Sequence, residues 1–208
     1  MQPSAELRWF CRGHPPAELT DWFRGADIPP TCEATRDDLY LGLPDCDNLG
    51  IKLRQGAVEF KRLGRRRGME RLRADVMGRV EEWIKWSFPL AEESSANAVL
   101  AEGGRAWLKV TKTRMLKKYE VTGTEVRVVN GASRVAEGCN LELTTLVISG
   151  EAWWTLGFEA FGPESNVERN LRLALRSELA DSHFPTMKAE DSYSFPEWLR
   201  IIHRRIVS

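Results

Sequence analysis

The chain has 208 residues, enough for one large domain or two small ones, and its 42% hydrophobic and 29% charged content is that of an ordinary soluble globular protein. Lys plus Arg and Asp plus Glu both number 30, so the net charge is zero, which argues against a general nucleic-acid binder. No apolar run approaches the roughly 18 residues of a membrane span, and no basic-then-apolar start marks a signal peptide. Cys11, Cys32, Cys46 and Cys139 show neither a CxxC pair nor metal-ligand spacing, so reduced thiols and a cytoplasmic location are expected.

Glu6 to Cys11 reads as a first strand. Successive strand side chains point to opposite faces, so Glu6, Arg8 and Phe10 share one face and Leu7, Trp9 and Cys11 the other. Pro15 and Pro16 open a short helix, Ala17 to Arg24, with Leu19, Trp22 and Phe23 as its packing stripe; Gly25, Pro29 and Pro30 end it. Asp38 to Leu41 is a second strand, Leu43 to Asn48 a turn, and Gly50 to Leu63 two strands joined at Gln55-Gly56. Gly64 to Gly78 admits a solvated helix, an irregular loop or the start of another strand. In Val80 to Phe88, Ile84, Trp86 and Phe88 alternate with Trp83 and Lys85. Glu92 to Gly104 reads as a polar connection with room for one helical turn. Ala106 to Val121 is two strands or one long bent strand, and Glu125 to Asn130 is another. Cys139 to Ile148 and Ala152 to Phe161 form an apolar pair across Ser149-Gly150. Val167, Leu171, Ala174, Leu175 and Leu179 fall at helical spacing. Ser194 caps a final helix with Pro196 in its first turn and Trp198, Leu199, Ile202 and Ile206 as its buried stripe. The expected class is α+β: an antiparallel β-sheet, closed or nearly so, with flanking and C-terminal helices.

The recurring signal is alternation of apolar with mostly basic residues: Ile51-Lys52-Leu53-Arg54, Val58-Glu59-Phe60-Lys61, Trp83-Ile84-Lys85-Trp86 and Lys109 to Arg114. Parity pairs Lys52 with Arg54, Glu59 with Lys61, and Lys112 with Arg114 on common faces. If the sheet closes, those faces form a basic interior, and cations in such number suit a phosphate chain. The solvated outer face of a half-buried sheet alternates in the same way. Such a face normally mixes signs, however, and here acids are scarce. Acid collects elsewhere, around Asp37, Asp38, Asp45, Asp47, Glu92, Glu93 and Glu102. Arg65 to Arg67 reads as a solvated loop, with recruitment of nucleic acid or of a second phosphate-rich ligand as the alternative. His14, His183 and His203 stand apart from any acid–base constellation.

In this order the segments resemble the CYTH superfamily, the triphosphate tunnel metalloenzymes, over roughly Glu6 to Phe161. The resemblance rests on the acidic first strand, the helix with Trp22, Asp37 to Leu41, Leu49 to Arg54, and Glu59-Phe60-Lys61. It continues through Lys112-Thr113-Arg114, Leu141-Glu142-Leu143 and Trp153 to Glu159. It implies an eight-stranded antiparallel tunnel as a single domain over 1–208, with 165–208 as a helical extension packed on it. Arg8, Lys52, Arg54, Lys61, Lys85, Lys112 and Arg114 would then bind phosphate, and Glu6, Glu59, Glu142 and Glu159 would hold Mg²⁺ or Mn²⁺. Lys85, Glu142 and Glu159 would carry catalysis. The implied function is binding and metal-dependent hydrolysis of a small-molecule triphosphate or polyphosphate. A binding or sensor module with weakened turnover is the alternative, and a nucleotide cyclase a third. The first strand departs from the family's Glu-x-Glu-x-Lys, with Glu6, Arg8 and Phe10 at those places. A cation at Arg8 repels Mg²⁺ and attracts phosphate. The remaining carboxylates would suffice for one ion bridged by the phosphates.

Overall fold

In the computed structural model, residues 1–25, 28–90 and 106–207 are described. The expected Glu92–Gly104 connection, with its acidic residues, lies outside them. The alternating segments become β1 (Gln2–Arg12), β2 (Thr31–Cys32), β3 (Arg36–Leu41), β4 (Leu49–Arg54), β5 (Ala57–Arg73), β6 (Val76–Pro89), β7 (Trp107–Thr122), β8 (Glu125–Val129), β9 (Gly138–Ile148) and β10 (Glu151–Phe161). The segments with helical spacing become α1 (Ala17–Arg24), α2 (Val167–Leu179) and α3 (Phe195–Val207).

Eight strands close into a ring, in the order β7-β3-β4-β5-β6-β1-β10-β9 and back to β7. Every pairing is antiparallel. β2 and β8 pair with β7 alone and lie off the ring. Two tight turns set the register. Gln55 and Gly56 have φ of 48° and 73°, and Ser149 and Gly150 have φ of 49° and 80°. Two successive positive φ values match the right-handed twist of a hairpin. Gly64 to Gly78 proves to be the far half of a long hairpin rather than a helix or loop. β5 runs on to Arg73 through three register irregularities, and such bulges bend a strand around a barrel wall. The Arg65–Arg67 run therefore sits in a strand. Arg66 Nε donates to Glu81 Oε1 at 2.9 Å and Arg67 Nε to Glu82 Oε1 at 2.7 Å. Ala106 to Val121 is one strand, not two.

The two faces of the wall have different partners. Outside the ring, Leu7 and Trp9 of β1, Leu141 and Leu143 of β9, and Leu156 and Phe158 of β10 pack with α1 and α2 through Phe23, Leu171 and Leu175. Each such side chain, fully buried, contributes about 1.5–3 kcal/mol. Inside, a second apolar cluster joins Phe10, Tyr40, Val110, Ile148 and Trp153 to Trp198, Leu199 and Ile202 of α3. Phe10 stacks on Trp198 at 4.8 Å and 13°, and Tyr40 on Phe195 at 4.8 Å and 17°. α3 therefore stoppers one end of the barrel. Its start is fixed by Ser194, whose Oγ accepts the Glu197 N–H at 3.3 Å. The four cysteines are unpaired. Among the described residues, no helix is long and apolar enough to cross a membrane.

Candidate anion-binding cavity

Inward parity brings all the sequence-derived candidates to one cavity inside the ring. β1 supplies Glu6 and Arg8, β4 Lys52 and Arg54, β5 Glu59 and Lys61, β6 Lys85, β7 Lys112 and Arg114, β9 Glu142, and β10 Glu159. The structure adds Arg36, Asp38 and Tyr40 of β3, Thr144, Thr155, and Phe195, Pro196 and Leu199 of α3. The β3 trio carries the same two-residue period as Lys52 and Arg54, so parity alone could have found it. Asp38, which the sequence groups with acid away from the basic faces, lies among the cations. In all, eight cationic side chains line the cavity against five carboxylates.

Exposure rises along the barrel axis. At depth the Lys112 and Asp38 side chains are 8% and 1% exposed, whereas Lys85 and Glu159 are 33% and 25% exposed. Lys85 and Glu159 also border an outer depression with Ser4, Lys118 and Asn140. They mark the mouth, opposite α3.

The carboxylates hold the cations in order. Arg8 Nη2 donates to Glu142 Oε2 at 2.7 Å and Arg8 Nη1 to Thr155 Oγ1 at 2.9 Å. Arg114 donates to the other Glu142 oxygen and to Glu33, and Glu33 also accepts from Arg36. Lys61 donates to Glu6, which also accepts from Ser4 Oγ at 2.7 Å. Lys61 Nζ lies 4.9 Å over the Trp83 ring, a favourable place for a cation. Lys52 pairs with Glu59 at 3.0 Å, Lys85 with Glu159 at 3.6 Å, and Lys112 with Asp38 at 3.2 Å. Lys112 also donates to Tyr40 Oη and lies 3.9 Å over the Phe195 ring. Within the cavity, Arg54 makes no ion pair with any described residue, and the buried Arg114 Nε has no acceptor among them.

Burial and pairing compete at each charge. Burial pushes the Glu142 pKa up, but Arg114 and Arg8 outweigh it and hold the group well below the usual carboxylate range. Burial likewise raises Glu159, and Lys85 brings it below its ordinary value. Glu159 in turn raises Lys85 against a smaller effect of burial. For Lys112 burial dominates, and its pKa falls well below that of an ordinary lysine although Asp38 opposes the shift. Lys52 is lowered for the same reason, with Glu59 opposing.

The carboxylates expected to hold Mg²⁺ or Mn²⁺ do not fit such an ion in this arrangement. Glu6, Glu59, Glu142 and Glu159 are each engaged by at least one Lys or Arg. Among the described residues, no three Asp, Glu, His or Cys side chains converge as a metal site. A hard divalent cation needs oxygen ligands free of competing cations.

No family model matches the chain, and no curated protein matches it. Among solved structures, the chain is similar to the PH1819 protein from Pyrococcus horikoshii OT3, at 15% identity and a TM-score of 0.48, covering 94% of this chain and 97% of that one. It is also similar to the S. pombe Pct1 RNA triphosphatase, solved in complex with the Spt5 CTD. That match has 14% identity and a TM-score of 0.40, and covers 89% of this chain and 79% of that one. Neither likeness is close enough to bear on the chemistry of the cavity.

Proposed function

We propose that the chain is a divergent triphosphate tunnel protein that binds the phosphate chain of a small triphosphate-containing molecule inside its barrel. The observation that carries this reading is the converging set of cations, eight against five carboxylates, enclosed by a wall that limits solvent screening. Arg54 and the Arg114 Nε supply donors without an acceptor among the described residues. The other cations would exchange a carboxylate for a phosphate oxygen, an exchange favoured where one guanidinium can take two oxygens at once. Arg8, Lys52, Lys61, Lys112 and Arg114 form the inner clamp in this reading, and Lys85 meets the ligand at the mouth.

Hydrolysis is the second reading. Glu6 and Glu159 stand opposite each other in register on β1 and β10, and both face the cavity next to Lys85. In this reading Lys85, Glu142 and Glu159 act on the bound phosphate, and the grouping of carboxylates with an ammonium supports it.

Titration calorimetry with inorganic tripolyphosphate and with phosphate tests the binding reading. Tripolyphosphate should bind at least tenfold tighter, with affinity falling as salt is added; equal affinities would overturn it. Phosphate release from inorganic triphosphate, thiamine triphosphate and nucleoside triphosphates, with Mg²⁺ or Mn²⁺ present, would establish turnover. Mass spectrometry of the products would reveal cyclisation. A chain that binds without releasing phosphate is a binding module.

A further inference from the structure

Arg8 lies directly opposite Gly157 of β10, and Gly157 lies opposite Glu142 of β9. The guanidinium therefore crosses a whole strand to reach its carboxylate. It can do so because residue 157 has no side chain: a Cβ there would stand 2.7 Å from Arg8 Cζ and 2.9 Å from Nε. The side chain is 10% exposed. Two of its N–H groups are committed, to Glu142 and Thr155, and a guanidinium carries five. Burial is the largest single effect and lowers its pKa, but Glu142, Glu6 and Glu159 together outweigh it and hold the group raised. Three of the four carboxylates expected from the sequence to hold a metal thus share the field of one side-chain cation.

We propose that the Arg8 guanidinium is the resident cation of this cavity. It is held on Glu142, one inward row from Glu6 and Glu159, the carboxylates that a divalent ion would need, and the ligand is taken up as the metal-free polyphosphate anion. The proposal rests on the anion-binding reading above and specifies the form of the ligand. A guanidinium is charged at every working pH, whereas a metal must be captured from solution. A divalent ion brought beside it meets twice the repulsion of a single charge, and its would-be ligands are already occupied. A metal-complexed polyphosphate also carries less negative charge, so a cationic cavity should hold it less tightly than the free anion.

The test is tripolyphosphate binding to the intact chain by calorimetry, once in EDTA and once in excess Mg²⁺. Binding should persist in EDTA and weaken about tenfold or more in Mg²⁺. Binding that requires Mg²⁺ overturns the proposal while leaving the anion-binding reading in place. No binding in either buffer overturns that reading itself. Mn²⁺ alone, followed by electron paramagnetic resonance, is the second measurement: the wild-type chain should leave the free-ion signal unchanged, and stoichiometric uptake would count against Arg8 as resident cation. Arg8→Gln, with its fold verified by thermal melting, should lose about tenfold or more of its affinity in EDTA, and Arg8→Lys should retain most of it. An Arg8→Gln variant that binds as tightly as wild type in EDTA would likewise overturn the proposal.

Discussion

Glu142 is flanked in sequence by Leu141 and Leu143 and in space by Arg8 and Arg114. Its two neighbours in sequence face outward into the core under α2, so the carboxylate is turned in by parity and fixed there by two guanidinium groups. Removing one member of a buried ion pair strands its partners, at a cost of about 3–5 kcal/mol. Glu142→Gln should lower stability by that order in a urea titration, and Arg8→Gln should soften the penalty when the two are combined. Gly157→Ala should act on the same pair from the backbone. The new methyl group displaces the guanidinium, with about 1–3 kcal/mol of overpacking and a parallel loss of tripolyphosphate affinity in calorimetry. An unchanged affinity would mean that Arg8 does not touch the ligand. The sequence could show that Glu6, Arg8, Lys52, Arg54 and Lys61 share faces, because a period of two is local. It could not show which carboxylate meets which cation, since Arg8 and Glu142 are 134 residues apart and only ring closure joins them. Glu33 escaped notice because it precedes β3 in an irregular segment, where no periodicity assigns a face.

Among the elements, α3 contributes most to the shape of the cavity. Its stripe of Trp198, Leu199 and Ile202 is plain in the sequence, and so is the Ser194 cap. Its docking place is not, because helical spacing identifies a buried face and not the surface that buries it. The partner is the inward half of β1, β3, β7, β9 and β10, represented by Phe10, Tyr40, Val110, Ile148 and Trp153. This also explains Phe10, which follows Glu6 and Arg8 on the inward face yet is aromatic: it belongs to the stopper and not to the charged layer. Trp198→Ala should remove about 3–5 kcal/mol of stability and quench near-UV ellipticity. If α3 merely rested on the outside, the loss would be much smaller. The β5–β6 hairpin was illegible for the opposite reason. Its bulges break the alternation, so the run from Gly64 to Gly78 carries no clean period although it is strand on both sides of the turn.

Across the whole molecule, a net charge of zero conceals a barrel whose lining is cationic. Two lysines of that lining, Lys112 and Lys52, have pKa values lowered by burial. Raising the pH therefore neutralises them before an ordinary lysine near 10.4 would titrate, and tripolyphosphate affinity should decline below that point. Stability should move the other way over the same window. The unfolded chain binds protons that the folded chain has released, so folding gains as pH rises between the folded and unfolded values. At the acid end, Glu142 and Glu159 have lowered pKa values. Their contribution is present above the ordinary carboxylate pKa and is lost as pH falls through the folded values, so acid unfolding should set in below the usual carboxylate range. Thermal melts across pH would check both limbs. The stoppered end adds a rule of traffic. Among the described residues α3 fills one end of the barrel, so whatever enters would leave by the end it came in. If the proposed phosphate ligand enters there, a long polymer would present an end to the cavity rather than thread it, and a bulky group would sit at the mouth beside Lys85 and Glu159.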